Sequence, residues 1–369
     1  MMPQIVPAEQ RMFMTGNEAI AWAALAAGAE IMYGYPITPQ NEIMHYWTRL
    51  APKFNTGFLQ TEDELSAGFT TVGGVMAGKK AFSATAGPGN VLMQEPISMA
   101  EAMRIPAVWF IQQRGGPSTG TVIYSQQETR LTCFGGNGEG HRLVYSTATH
   151  QEAFDYGIKA FNNAWKYRFP TFILGDGYQA KMREALTLYN PEDRGIRLTP
   201  AERMVGRPGI PGRDREVAHH RNTYNIEEEL YQLLQQHTAD WNQMADQVVE
   251  WDHQGGADAE LLLVAHGVVS RATLAAYQQL QLKGQKVAYF RPITLRPFPI
   301  AALREAVAGC QQILLVESAY GQLQTMVRDA LYGHTTVPMH GLLKPGVGIT
   351  SDEVVQAAEA LLHQERRPS

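Results

Sequence analysis

Four segments within the first 120 residues place reactive side chains beside residues that fix or free the backbone. In Glu62-Asp63-Glu64-Leu65-Ser66-Ala67-Gly68, carboxylates open a helix-like stretch, where the helix dipole favours negative charge. Ala67 and Gly68, three and four positions after Glu64, give a small-residue face on which another backbone or a flat ring could pack. In Tyr35-Pro36-Ile37-Thr38-Pro39-Gln40, two prolines hold Thr38 in a fixed non-helical geometry, and a pre-set hydroxyl suits a carboxylate. Gly87-Pro88-Gly89, within Ser83 to Asn90, lets a ligand approach the main chain. Arg114, followed by the permissive Gly115-Gly116-Pro117-Ser118-Thr119-Gly120, could grip a carboxylate bidentately. Taken singly, each has an ordinary reading as a rigid turn, helix-start charge, a tight turn or a solvated Arg.

The elements that must position these segments are short apolar runs bounded by Gly and Pro. Glu30 to Tyr33, Lys80 to Ala84, Ala107 to Gln112 and Pro170 to Leu174 read as strands alternating with helical stretches, the pattern of a parallel α/β sheet. All four segments follow such strands or open helices, and in open α/β sheets those positions converge at the carboxyl edge. The Arg-, Pro- and Gly-rich stretch Glu184 to Tyr224, including Gly206 to Arg213, reads as a linker. Asn225 with Glu228 suggests a capping box, opening a helix to about Trp251. Strands at Glu260 to Ala265, Lys286 to Phe290 and Gln312 to Glu317, with helices at Arg271 to Leu282 and Ile300 to Val307, make a second, smaller α/β domain. The expected division is 1–183, 184–256 and 257–369.

Bulk properties narrow the function. The 369 residues suit two or three domains, and a formal charge of −5 gives no case for nucleic acid. No apolar stretch approaches the roughly 20 residues that span a bilayer, and Met1 to Thr15 lacks a basic, then apolar, secretory pattern, so a cytoplasmic protein is expected. Cys133 and Cys310 are too few to hold an iron–sulfur cluster, which needs about four thiolates. Any electron-transfer centre belongs to another chain.

Taken in order, the segments resemble the pyrimidine-binding domain of thiamine-diphosphate enzymes: a glutamate-led helix from Glu64, with Ala67, Gly68 and Gly73, then Ala84 to Gly89. Gly34 to Gln40 and Arg114 to Gly120 are similar to loops of 2-oxoacid:ferredoxin oxidoreductase α subunits. The likeness continues through Tyr167 to Pro170, Leu174 to Gly177, Arg291 to Pro299 and Glu317 to Leu323. It implies a thiamine-diphosphate-binding fold followed by a transketolase C-terminal-like domain. Glu64 would hydrogen-bond the aminopyrimidine and activate the cofactor. Thr38 and Arg114 would bind the 2-oxoacid carboxylate, and Tyr35, Pro36, Gly87, Pro88 and Gly89 would line the cofactor. The acyl group would pass to coenzyme A, and electrons to [4Fe-4S] clusters.

Gly175-Asp176-Gly177 imitates the start of the thiamine-diphosphate metal motif, but no Asn follows at the required distance of roughly 25 to 30 residues in that family pattern. No metal site is expected here. The resemblance implies a β subunit carrying magnesium and diphosphate, a γ subunit, an optional ferredoxin-like δ subunit, and ferredoxin or a similar acceptor. It ranks 2-oxoglutarate first, then branched-chain or aromatic 2-oxoacids, then pyruvate. Rival readings are a transketolase-like transferase, a 2-oxoacid dehydrogenase β chain, and a degenerate scaffold. One departure stands out: where the family commonly has Gly-His-Gly and an acid, this chain has Gly136-Asn137-Gly138-Glu139, with His141 displaced. Asn cannot carry a proton, and His141 is either its substitute or a satisfied surface side chain.

Overall fold

The computed structural model describes residues 9–205, 220–256 and 258–364. β1 (Gln10–Thr15) runs straight into α1 (Gly16–Ala26), which Thr15 and Glu18 cap reciprocally. Then come β2 (Ile31–Gly34), α2 (Asn41–Phe54), β3 (Gly57–Gln60), α3 (Glu64–Met76), β4 (Ala81–Thr85), α4 (Pro88–Leu92), α5 (Gln94–Ala102) and β5 (Val108–Gln113). α6 (Thr129–Phe134), β6 (Leu143–Ser146), α7 (His150–Tyr167), β7 (Thr171–Asp176) and α8 (Gly177–Lys181) complete this α/β unit. β8 (Arg183–Leu188) returns to pair antiparallel with β1, so the connecting segment begins as a strand. Gly206 to Arg213 lies outside the described residues.

α9 (Glu227–Val248) begins at an N-cap, Ile226, that makes no side-chain capping bond. The capping box expected at Asn225 is therefore corrected: Asn225 precedes the cap, and Glu227, Glu228 and Glu229 in the first turn complement the dipole instead. β9 (Trp251–Gln254), β10 (Leu261–Val264), α10 (Val269–Leu282), β11 (Val287–Pro292), β12 (Thr294–Arg296), α11 (Ile300–Ala306), β13 (Gln312–Glu317), α12 (Gln322–Leu331), β14 (Met339–Leu343) and α13 (Ser351–Gln364) follow.

The large sheet has the order β12-β6-β7-β5-β4-β2-β3, parallel throughout except for β12. A second sheet, β14-β13-β10-β11-β9, is parallel except for β9. The central strands β4, β5 and β7 of the large sheet are buried on both faces, as helix-covered parallel strands must be. On one face Phe82, Phe110 and Ile173 pack with Trp47 and Phe161 under α1, α2 and α7; on the other, Trp109, Ile111 and Phe172 meet α3 and α5. β12 reaches the large sheet from the chain segment that otherwise builds the small one, and its Arg296 donates to the carbonyls of Cys133 and Gly140. Arg291, at the end of β11, grips Glu152 at the start of α7 (2.6 and 2.8 Å). The Arg291 to Arg296 run is a seam between the two sheets.

Candidate active site

β5, β4, β2 and β3 are neighbours, all parallel, so the loops leaving their carboxyl ends share one edge. Those loops are Arg114 to Gly120, Ala86 to Gly89, Tyr35 to Gln40 and Thr61 to Asp63. The edge predicted from sequence is therefore formed.

The three acids that precede α3 have separate fates. Glu62 is exposed and accepts from the Ser66 hydroxyl (2.8 Å). Asp63 is the N-cap, taking the Ser66 N–H at 2.7 Å, and these bonds hold its carboxyl below the usual range. Glu64, the first helical residue, is buried, and its desolvation pushes its carboxyl upward, aided by Asp63 and opposed by its own N–H and Arg114. Because Asp63 serves as the cap, Glu64 is left to face the loops. Gly68 packs so tightly on Pro96 of α5 that a Cβ would lie 2.3 Å from its ring, so this small residue seats another helix.

Gly87-Pro88-Gly89 joins the two ends of the site. A Cβ on Gly89 would lie 2.6 Å from Glu64 Oε1 and 2.2 Å from Thr85 Oγ1. Gly87 has φ +54°, and a Cβ there would lie 2.5 Å from Arg114 Nε. Pro88 occupies the first turn of α4, where its missing N–H costs nothing. Arg114, buried, donates from Nη1 to the Thr38 carbonyl at 2.9 Å. The loop carrying Thr38 is closed by Gln40 Nε2 on the Tyr35 carbonyl and tied to α1 by Asn17 Nδ2 on the Pro39 carbonyl, each 2.8 Å. Tyr35 is half-buried and Pro36 exposed at the rim.

Arg114 Nε and Thr85 Oγ1 are buried without partners. Unpaired polar atoms beside a buried carboxylate and a loop that admits no side chain fit a flat heteroaromatic ring and a carboxylate. Gly89→Ala should weaken thiamine diphosphate binding at least tenfold, measured by calorimetry on the cofactor-stripped complex, since a methyl cannot fit between Thr85 and Glu64. Unchanged affinity would place the ring elsewhere.

Asp176 of the Gly-Asp-Gly sequence caps α8, accepting from Tyr178 N (2.9 Å) and Gln179 N (3.0 Å). Burial pushes its carboxyl from 3.8 up to about 7. Between those values the folded chain keeps a proton that the unfolded chain has released, so stability falls as pH rises through this window. Asp176→Asn removes that proton. Its Tm, relative to the parent, should rise between pH 4 and 7; a flat difference would contradict the assignment.

Asn137 lies on an exposed loop. His141, beyond it, stacks on Trp241 (5.1 Å) and bonds Thr238 at 3.2 Å, and burial pushes its imidazole down to about 4. It is a neutral packing residue against α9, beside an open cavity of about 880 Å³ that Glu139 and Arg296 also line.

Sequence reasoning missed the residues that hold the Arg114 loop. Thr121 closes it, its Oγ1 accepting from Gly115 N at 3.0 Å. Gln126 exchanges bonds with Ser318 (N to O 3.0 Å, and N to Oε1 2.9 Å) and donates to the His266 carbonyl at 2.8 Å. Gln322 similarly spans the Arg130 N–H and the Gln127 carbonyl. His266 is fully buried against Ser146, its imidazole pushed down to about 3 by desolvation and Arg291. No spacing rule announces the Gln126, Gln322 and His266 pairs, which join positions 120 to 195 residues apart. Gln126→Ala should lower stability by about 2–4 kcal/mol, leaving two buried groups unpaired, visible as a reduced Tm; an unchanged Tm would show the latch to be redundant.

This architecture, two α/β units with a buried Glu at a shared strand edge, is that of thiamine-diphosphate enzymes. Residues 22–252 match the family model described as pyruvate flavodoxin/ferredoxin oxidoreductase, thiamine-diphosphate-binding, and residues 259–353 match pyruvate:ferredoxin oxidoreductase core domain II. The 2-oxoglutarate synthase subunit KorA of Methanocaldococcus jannaschii is 32% identical, over 84% of this chain and 89% of that one. The ketoisovalerate oxidoreductase subunit VorB of Methanothermobacter marburgensis is 33% identical, over 85% and 88%. Among solved structures, 2-oxoglutarate:ferredoxin oxidoreductase of Magnetococcus marinus superposes with TM-score 0.83 at 24% identity, over 95% of this chain and 65% of that one. A split-gene transketolase superposes at 0.58 with 14% identity. The chain belongs to the 2-oxoacid:ferredoxin oxidoreductase family, as an α-type subunit. No helix among the described residues is long and apolar enough to cross a membrane.

Proposed function

We propose that this chain supplies the pyrimidine end of a thiamine-diphosphate site and the grip on a 2-oxoacid carboxylate, with 2-oxoglutarate the first candidate substrate. The observation that carries this is the single loop Gly87-Pro88-Gly89, which touches Glu64 at one end and Arg114 at the other. Glu64, buried and with its carboxyl pushed up by desolvation, is suited to share a proton with the aminopyrimidine ring nitrogen. Arg114 and Thr38 hold the substrate carboxylate so that its carbonyl faces the cofactor, an orientation effect. Bound there, thiamine diphosphate supplies the nucleophilic carbon and electron sink that decarboxylation requires.

The partners follow from what this chain brings to the site. Leu59, Val91 and Leu92 are exposed beside it (49, 59 and 47%), a rim suited to burial under a second polypeptide. We assign magnesium and the diphosphate to a β subunit, and the [4Fe-4S] clusters to γ- and δ-type subunits passing electrons to ferredoxin. Coenzyme A takes the acyl group. Cys133 and Cys310 are buried free thiols, in keeping with a cytoplasmic setting. Similarity to subunits named for 2-oxoglutarate and for ketoisovalerate keeps a branched-chain substrate as the second reading. The purified native complex should reduce a viologen dye, dependent on coenzyme A, fastest with 2-oxoglutarate in a panel of 2-oxoacids. Preference for 2-oxoisovalerate would select the second reading, and no activity with any 2-oxoacid would overturn both.

A further inference from the structure

Glu128 is a buried carboxylate that the functional reading leaves unused, 5% exposed at the residue before α6. It accepts the Arg114 backbone N–H at 2.8 Å and the Asn90 side-chain amide at 3.1 Å, and the Gly87 N–H faces it and favours its charged form. Arg114 and Gly87 belong to the loops that form the site, and Asn90 lies in α4 directly after Gly89. Burial pushes its carboxyl up, while these donors and the Arg114 charge oppose that shift.

Behind Asn90 the bonds continue with one polarity. Asn90 Oδ1 accepts from Gln94 Nε2 at 2.9 Å, and Gln94 Oε1 accepts from Arg142 Nη1 at 3.0 Å. Arg142, fully buried, is held by Glu101 through Nε (2.7 Å) and Nη2 (2.6 Å). The chain starts at a group that, ionised, only accepts and ends at a guanidinium that only donates, so each amide between them has a single satisfied orientation. Two of the three donors on Glu128 are backbone groups and cannot turn.

We propose that Glu128 is a buried acceptor anchor, a positioning residue that holds the Arg114 main chain for the 2-oxoacid and the Gly87-Pro88-Gly89 backbone for the cofactor ring. It couples the two halves of the site from behind, touching neither ligand. This rests on the functional reading above, so the wild-type complex serves as its control: inactivity of the wild type with every 2-oxoacid sinks that reading, whereas an indifferent variant of an active complex sinks only the anchor.

The test is Glu128→Gln in the assembled complex. The isosteric amide must turn an NH2 toward a donor, and Gln94 prevents Asn90 from turning to accept it. The KM for the 2-oxoacid and the Kd for thiamine diphosphate, the latter by calorimetry on the cofactor-stripped complex, should both rise about tenfold or more. Glu128→Gln with Asn90→Asp moves the negative charge one residue along the chain: the new amide donates to Asp, its carbonyl keeps the backbone donors, and Asp still accepts from Gln94. That double variant should recover both constants to within about threefold of wild type. Wild-type constants in the single variant, or failure of the double variant to recover them or to assemble, would overturn the anchor.

Discussion

Glu64→Gln in the assembled complex is expected to lower turnover by roughly 10²- to 10⁴-fold, the usual contribution of a positioned acid–base group. Assembly should be unaffected. The reason is local: Asp63 caps α3 and Glu62 engages Ser66, so the buried Glu64 carboxyl has no capping task to lose. Gln keeps the volume beside Gly89 but cannot exchange a proton. Near-normal turnover would show that another carboxylate activates the cofactor. A loss of assembly with unchanged specific activity would make Glu64 structural.

The second large effect is at Arg114. Arg114→Ala removes the guanidinium from between Gly87 and the Thr38 carbonyl, and truncating one partner of a buried charge pair costs about 2–5 kcal/mol, roughly 30- to 5,000-fold in kcat/KM. The loss should fall mainly on KM for the 2-oxoacid. Arg114→Lys keeps the charge but loses the planar fork, so it should recover only part of the deficit. If instead the KM for coenzyme A rises and that for the 2-oxoacid does not, Arg114 grips a different ligand.

Much of the site was legible because its chemistry is local in the chain. Proline, glycine and a charged residue at a strand end each impose backbone geometry within a few positions, and parallel strands bring such ends to one edge. The long apolar strands were also legible, to within about two residues, as for Gln312–Glu317. What stayed hidden depends on distant partners. β3 (Gly-Phe-Leu-Gln) and β6 (Leu-Val-Tyr-Ser) carry apolar runs of only two and three residues, too short to read as strands alone. β8 becomes a strand because β1, more than 160 residues earlier, pairs with it. Glu128, Gln126 and His266 look like unremarkable polar residues in sequence, and their roles arise only when loops and the two sheets close on them. The Asn225 signal failed because a favourable cap residue one position early has no N–H within reach.

The central claim is that this chain holds the aminopyrimidine end of the cofactor and leaves the diphosphate to a partner. The most direct measurement is a cryo-EM map of the native complex loaded with thiamine diphosphate and magnesium. It should place the aminopyrimidine ring within hydrogen-bond distance of Glu64, against Gly89, with magnesium and both phosphates on another polypeptide. Density for the diphosphate on this chain, or an aminopyrimidine remote from Glu64, would contradict it.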